Sequence, residues 1–361
     1  RPPSMRMVQQ LPQTGLPAHH EILDILKAKV DSEPNTQPRP QTEVQPFRRK
    51  IVWFNTLGFL VLHLAAVYGL YLAVTRARLL TSAWVIFLMA AAGEGVTMGA
   101  HRLYSHKAFK AKPMLRLALV LLHTMAGQNC LYIWVRDHRQ HHKYSDTDAD
   151  PHNARNGFFF SHIGWLMSRK HPEVIAKGKN IDMSDLEADP FVMFQKKYYK
   201  TLYVILSIAF PVMIPCWLWG EDLLVSFFCS YMVRTILSLN FTWLVNSAAH
   251  MYGNRPYTRD IVPVESELVS MFSLGEGWHN YHHTFPWDYK AAELGQTHNI
   301  TTALLDQFAR WGWAYDLRAA TAAMVQHRVT KRGDGSHPMA ATTLDYLEQP
   351  ATRDVHRGPG L

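Results

Sequence analysis

Cysteine is scarce. The chain has three (Cys130, Cys216 and Cys229), scattered and without C-x-x-C spacing. That argues against a disulfide framework and against a thiolate zinc site, and it suits a reducing cytosolic face. A G-x-G-x-x-G fingerprint is absent too, so no flavin or dinucleotide site of that kind supplies electrons from within the chain. The N-terminal stretch has no apolar segment of the kind that marks a cleaved secretory signal. The formal net charge is +8, yet no basic stripe or RNA-binding motif accompanies it, which argues against a nucleic-acid partner. In a chain with apolar spans, Lys and Arg instead mark cytoplasmic flanks and contacts with anionic membrane lipid.

Charge is itself missing from long stretches. Ile51 to Val74 holds 24 residues with no Asp, Glu, Lys or Arg, enough to cross a hydrocarbon core of about 30 Å with some tilt. Its polar members are Asn55 and His63. A second apolar run, Leu79 to about Ala100, is interrupted by Glu94, an acid expected to face the bundle interior. Met114 to Gly127 is too short to span and carries Arg116 and His123, so it reads as an amphipathic helix at the interface. Thr201 to Gly220 and Leu223 to Asn246 form a second hairpin, joined at Glu221 and Asp222. Arg234 is the sole charge of its second limb and needs an interior partner or a carbonyl.

The organisation that follows is all-α and membrane-integral, with four transmembrane helices in two hairpins (about 51–74, 79–100, 201–220 and 223–246). A cytosolic helical cap takes residues 101–200 and 247–330. Residues 1–46, with eight of the twenty prolines, read as a disordered leader, and 331–361 as a disordered tail. The positive-inside rule places both termini and the cap in the cytoplasm.

Histidine is abundant: the chain has twenty, and nine fall in four motifs beside the spans. These are H-R-L-Y-S-H (His101, His106), H-R-Q-H-H (His138, His141, His142), N-S-A-A-H (Asn246, His250) and H-N-Y-H-H (His279, His282, His283). Positions i, i+3 and i+4 share a helix face, so each H-x-x-H-H can converge on metal. His101 and His106 lie roughly 140° apart on an ideal α-helix, so the helix is expected to end or bend near Tyr104 and Ser105. Nine imidazoles and a carboxamide exceed the needs of one mononuclear site. An all-nitrogen dinuclear site with vacant positions suits iron that activates O₂ better than structural zinc, which closes its shell with four ligands. Asp137, Asp146, Asp148, Asp150 and Glu276 are candidates to orient the imidazoles. Lone histidines such as His63 and His123 read as hydrogen-bonded packing residues.

The four motifs, with D-P-H-N-A-R-N-G-F-F-F-S-H-I-G-W-L (150–166) and G-E-G-W-H-N-Y-H-H-T-F-P-W-D-Y (275–289), resemble those of membrane acyl-CoA desaturases of the stearoyl-CoA Δ9 type, from about residue 47 to 335. The resemblance implies a multi-pass endoplasmic reticulum enzyme that introduces a cis double bond, most simply Δ9, into a saturated long-chain acyl-CoA. It would use O₂ and electrons from cytochrome b5 and its NADH-dependent reductase. It further implies two iron ions on His101, His106, His138, His141, His142, His250, His279, His282 and His283, with Asn246 reaching one iron through water. Acyl-CoA contacts carry over to Asn55, Asn129, Arg136, Asp137, Arg169, Lys170 and Trp243, and the tunnel kink to Trp134, Trp165 and Thr242. A membrane hydroxylase on the same kind of centre, a desaturase of other regiochemistry such as Δ11 and, outside this class, a His-rich metal transporter are the alternatives. The division of histidines between the irons, the chain-length preference and a homodimeric state stay open at this point.

Overall fold

A computed structural model describes residues 47–293 and 298–340, so the expectations for the leader and for the end of the tail fall outside the described residues. The chain divides into units 1–48 and 49–361; of the first, only Phe47 and Arg48 are described, and both are exposed. In the second unit four helices are long and apolar enough to cross a membrane: α1 (Trp53–Thr75), α2 (Leu79–Ser105), α5 (Pro190–Trp219) and α6 (Leu223–His250). Between them lie α3 (Pro113–Ala126) and α4 (Leu131–Tyr144), bent by 86° against each other. Gly127 makes that bend possible, since its φ of 72° is a left-handed helix end that a side chain would strain. After α6 come the short α7 (Glu267–Phe272) and α8 (His279–Thr284), then α9 (Ile300–Arg310) and α10 (Ala322–Arg332).

The spans carry apolar residues on every face because their solvent is lipid; Phe54, Val74 and Leu79 are each nearly 90% exposed. The charged residues and the histidine inside them are answered, while the hydroxyls of Ser230 and Ser238 are buried without a hydrogen-bond partner. Arg234 is fully buried and donates to three carbonyls, those of Ser230 (2.9 Å), Met125 (2.9 Å) and Ser207 (2.8 Å). Glu94 is buried and accepts from Thr301 Oγ1 at 3.1 Å. His63 meets the Phe59 carbonyl (2.7 Å) and Asn240 (3.2 Å). His123 departs from expectation: it is fully buried with neither ring nitrogen hydrogen-bonded. At the far end, Glu221 ties the hairpins together by accepting from Arg78 N (2.8 Å), while Asp222 caps α6 through Val225 N (3.0 Å).

α2 does not end near Tyr104 by simple fraying. From Gly95 to Ser105 it is wound as a π-helix, closing bonds five residues apart, as in His106 N to His101 O (3.2 Å). This winding brings the two histidines onto one face. Its wide turn nests against α3 so closely that a Cβ on Gly95 would lie 2.2 Å from His123 N. Two other expectations change. The helix that carries the third apolar run begins at Pro190 and kinks at Tyr198, so Lys196 and Lys197 lie before the kink and the uncharged run from Thr201 lies beyond it. The expected unstructured tail from about Lys331 does not hold for 331–340, which end α10 and fold back onto the chain, burying His337 to 3% exposure.

Candidate dinuclear metal centre

The nine histidines come from the ends of α2 and α6 and from α4 and α8, and they meet as two groups. His101, His106, His138, His142 and His282 form one; His141, His250, His279 and His283 form the other, ligand atoms in each lying within 4.8 Å of one another. The H-x-x-H-H triplets therefore do not converge on a single point. On an α-helix i and i+4 differ by about 40°, while i+3 is rotated about 100° from i+4. Accordingly α4 gives His138 and His142 to the first group and His141 to the second. α8 does the reverse, giving His279 and His283 to the second and His282 to the first.

The contacts are nitrogen to nitrogen. Nε2 of His282 lies 2.9 Å from Nε2 of His101 and 3.0 Å from that of His142; His106 and His138 meet at 2.9 Å. In the second group His283 Nε2 lies 3.1 Å from His279 and 3.3 Å from His141. Carboxylates fix which nitrogen bears the proton. Asp150 accepts from His141 Nδ1 (2.8 Å), Asp146 from His250 Nδ1 (3.2 Å), and Glu276 Oε2 lies 2.9 Å from His101 Nδ1. The Nε2 lone pairs of these rings then face inward, and His250 Nε2 is buried with no hydrogen-bond partner. Lone pairs aimed at one another need a cation between them, so the donor set fits two nitrogen-liking transition metals.

Six of the nine histidines are held neutral, whereas on His141 burial is outweighed by the Asp150 carboxylate, which raises its pKa. Burial, and next the neighbouring imidazoles, hold His106, His138, His142, His279, His282 and His283 well below the ordinary imidazole value, in the neutral ligating form. Burial alone would raise the three carboxylates. His141 and His152 instead hold Asp150 well below the usual carboxylate range, and Arg102 with His101 pulls Glu276 down to about 2.

A cavity of about 340 Å³ opens beside the groups, lined by His101, His138, His141, His279, Glu276 and Asn246 at one part and otherwise by apolar side chains such as Ile86, Met89, Phe241 and Leu274. Trp134 and Thr242 are in its wall. Gln128 joins them, accepting from Trp134 Nε1 (3.1 Å) and donating to Thr242 Oγ1 (2.7 Å). Trp165 is elsewhere, a correction to its expected place in the kink. It belongs to the turn Gly164–Leu166, which Asn55 Nδ2 anchors through the Leu166 carbonyl (2.8 Å), and it lines a separate small recess with Arg49, Arg169 and Lys170.

The remaining expected substrate residues are distributed. Arg136 and Lys170 both bind Asp137 (2.7 and 2.8 Å), so Asp137 orients cations and not an imidazole. Asp148 lines the recess. Asn129 holds a φ of 77° and accepts from Cys130 N (2.9 Å). Trp243 is buried against Phe59, His63 and His162.

Two residues escaped the sequence reading. Gln128 has no motif to announce it. Arg102 had a signal, a charge directly after a ligand at the end of an apolar run. It is 1% exposed and donates to Glu276 Oε1 through Nε (3.0 Å) and Nη2 (2.8 Å).

Comparison with known proteins agrees with this geometry. A model of the fatty acid desaturase family matches residues 79–316. The chain is 54% identical over 312 residues to an acyl-CoA Delta-9 desaturase of Acheta domesticus, covering 86% of both chains. It is 53% identical over 294 residues to an acyl-CoA Delta12-desaturase of the same organism, covering 81% of this chain and 82% of that one. Human stearoyl-CoA desaturase 5 is 51% identical over 289 residues, with 80% and 87% covered. On these matches the chain belongs to the fatty acid desaturase family, as a membrane-integral acyl-CoA desaturase.

Proposed function

We propose that the chain introduces a cis double bond at Δ9 of a saturated long-chain acyl-CoA in the endoplasmic reticulum membrane, with the histidine groups and both termini facing the cytosol. The observation that carries this reading is the pairing of two inward-facing imidazole groups with an apolar cavity. Iron held by the first group (His101, His106, His138, His142, His282) and the second (His141, His250, His279, His283, with Asn246 through water) would supply the oxidising chemistry that removes hydrogen from an unactivated CH₂. The overall change balances: the substrate gives up two hydrogens, two electrons and two protons arrive from outside, and O₂ leaves as two waters. The electrons come from cytochrome b5 and its NADH-dependent reductase.

The chain's own residues do the rest. Asp150, Asp146 and Glu276 hold the Nδ1 sides of three ligand rings so that each Nε2 faces inward. Trp134, Gln128 and Thr242 form a hydrogen-bonded rib across the cavity wall, around which a bent acyl chain presents neighbouring carbons in the conformation that yields a cis product. The apolar wall excludes bulk water from the reacting carbons. Outside the cavity, Arg136, Arg169 and Lys170 suit the phosphates of CoA, with Asp137 orienting two of them. Asn129, Trp243 and Asn55 serve the pantetheine, the thioester and the cavity mouth.

Expression in a desaturase-deficient yeast, followed by gas chromatography with double-bond location, tests the reading. A cis-Δ9 monoene is the expected product. A Δ11 or Δ12 product would refute the regiochemistry, and a hydroxylated product would refute desaturation.

A further inference from the structure

α8 supplies three ligand histidines to two groups, yet it has only six residues. So short a helix has no stability of its own, because nucleation costs more than one or two turns return. Its register must come from what holds it. One holder is the loop 254–265. Asn280 of α8 accepts from Tyr257 N (3.0 Å) and Thr258 N (3.1 Å) and donates to the carbonyls of Thr258 (2.9 Å) and Pro263 (3.0 Å). Glu265 accepts from Tyr281 N at 2.8 Å, and the buried Tyr257 ring packs edge-on against Tyr281 at 5.0 Å.

The loop is in turn held from behind by the end of α10 and the residues after it. Arg259 N reaches Arg332 O (2.8 Å), and Asp334 N reaches Arg255 O (3.1 Å). Arg255 N donates back to Asp334 Oδ2 (2.5 Å). Gly333 passes so near the loop that a Cβ would lie 2.3 Å from Pro256 O. His337 closes the bracket. It is 3% exposed, lies 5.5 Å ring to ring from Tyr257, and bonds Glu293 Oε2 at 3.2 Å. Its Nδ1 accepts from Met339 N (3.1 Å), which leaves the proton on Nε2 to donate to Glu293.

We propose that residues 333–339 are a latch that keeps α8 in metal-binding register, with His337 as the positioning residue acting through Tyr257 and Tyr281. The proposal rests on the assignment of the α8 histidines as metal ligands. It concerns metal retention, a property separate from substrate affinity.

The test uses full-length protein in detergent, loaded with ferrous iron, with the rate of iron loss to a chelator as the readout. His337→Ala should release iron several-fold faster, below the roughly 10-fold or more seen when a direct partner of a metal ligand is removed. His337→Gln, which still donates to Glu293, should recover most of the difference. Glu293→Ala is the milder variant should His337→Ala not fold, and it should also speed release. Val225→Ala serves as the stability control. It opens the distant Leu72–Val85–Cys229 cluster, roughly 35 Å along α6 from His250, and should lower the melting temperature while releasing iron at the wild-type rate. Wild-type release rates from folded His337→Ala and Glu293→Ala would overturn the latch, as would equally fast release from Val225→Ala at a matched melting temperature. A wild-type protein that takes up no iron would instead overturn the ligand assignment, and the latch with it.

Discussion

Three imidazoles of the two groups, His101, His141 and His250, turn Nδ1 toward a carboxylate and leave Nε2 facing inward, so the donor set is arranged atom by atom. Asp150 illustrates the point: its Oδ2 serves both His141 Nδ1 and Asp146 N at 2.8 Å, and its Oδ1 accepts from His152 N at 3.1 Å. An amide oxygen with a neighbouring NH₂ cannot replace both oxygens, so Asp150→Asn should lower metal affinity about 10–100-fold, as measured by metal competition. Arg169→Ala should behave in the opposite sense. It lines the recess away from the histidines, so steady-state kinetics should show a several-fold higher KM for acyl-CoA with kcat and iron content unchanged. His279→Ala removes a ligand outright and should abolish turnover in a protein that still inserts and folds; full activity would refute the assignment. At this scale the meeting of the nine histidines was highly legible, because histidine in clusters beside apolar runs has few other uses. It was poorly legible for Gln128 and Arg102, whose roles depend on partners 114 and 174 residues away.

The elements explain why nine histidines form two groups. α4 and α8 each carry H-x-x-H-H, and the splay of about 100° between the second and third histidine lets each helix feed both groups. Spacing alone could not reveal that division, since it depends on how the two helices face each other. α2 adds a second lesson. Five-residue spacing is awkward on an α-helix, and the chain answers with π winding, not only with a helix end. Gly95→Ala should push α2 away from α3 and cost about 1–3 kcal/mol by overpacking, visible as a lower melting temperature in detergent. Spans were legible from missing charge, although Lys196, Lys197 and Lys200 hid the first turns of α5. The packing of 331–340 was hidden for a different reason: a Gly- and charge-rich stretch has no apolar periodicity, and its bonds are mostly backbone and polar.

At the scale of the whole molecule, two helical hairpins hold a greasy cavity against a cap of imidazoles. The spans α2 and α6 both deliver histidines at their C-terminal ends, which puts the two histidine groups at one end of the helical bundle. Family membership follows from half of the residues being identical to those of curated desaturases along most of their length. The central claim is that the five and four histidines make two separate metal positions. Metal analysis of the purified, catalytically active protein tests it most directly. Two iron atoms per chain are expected, with acyl-CoA desaturation lost on chelation and restored by ferrous iron. One metal atom per chain, or zinc filling both positions in active enzyme, would contradict it.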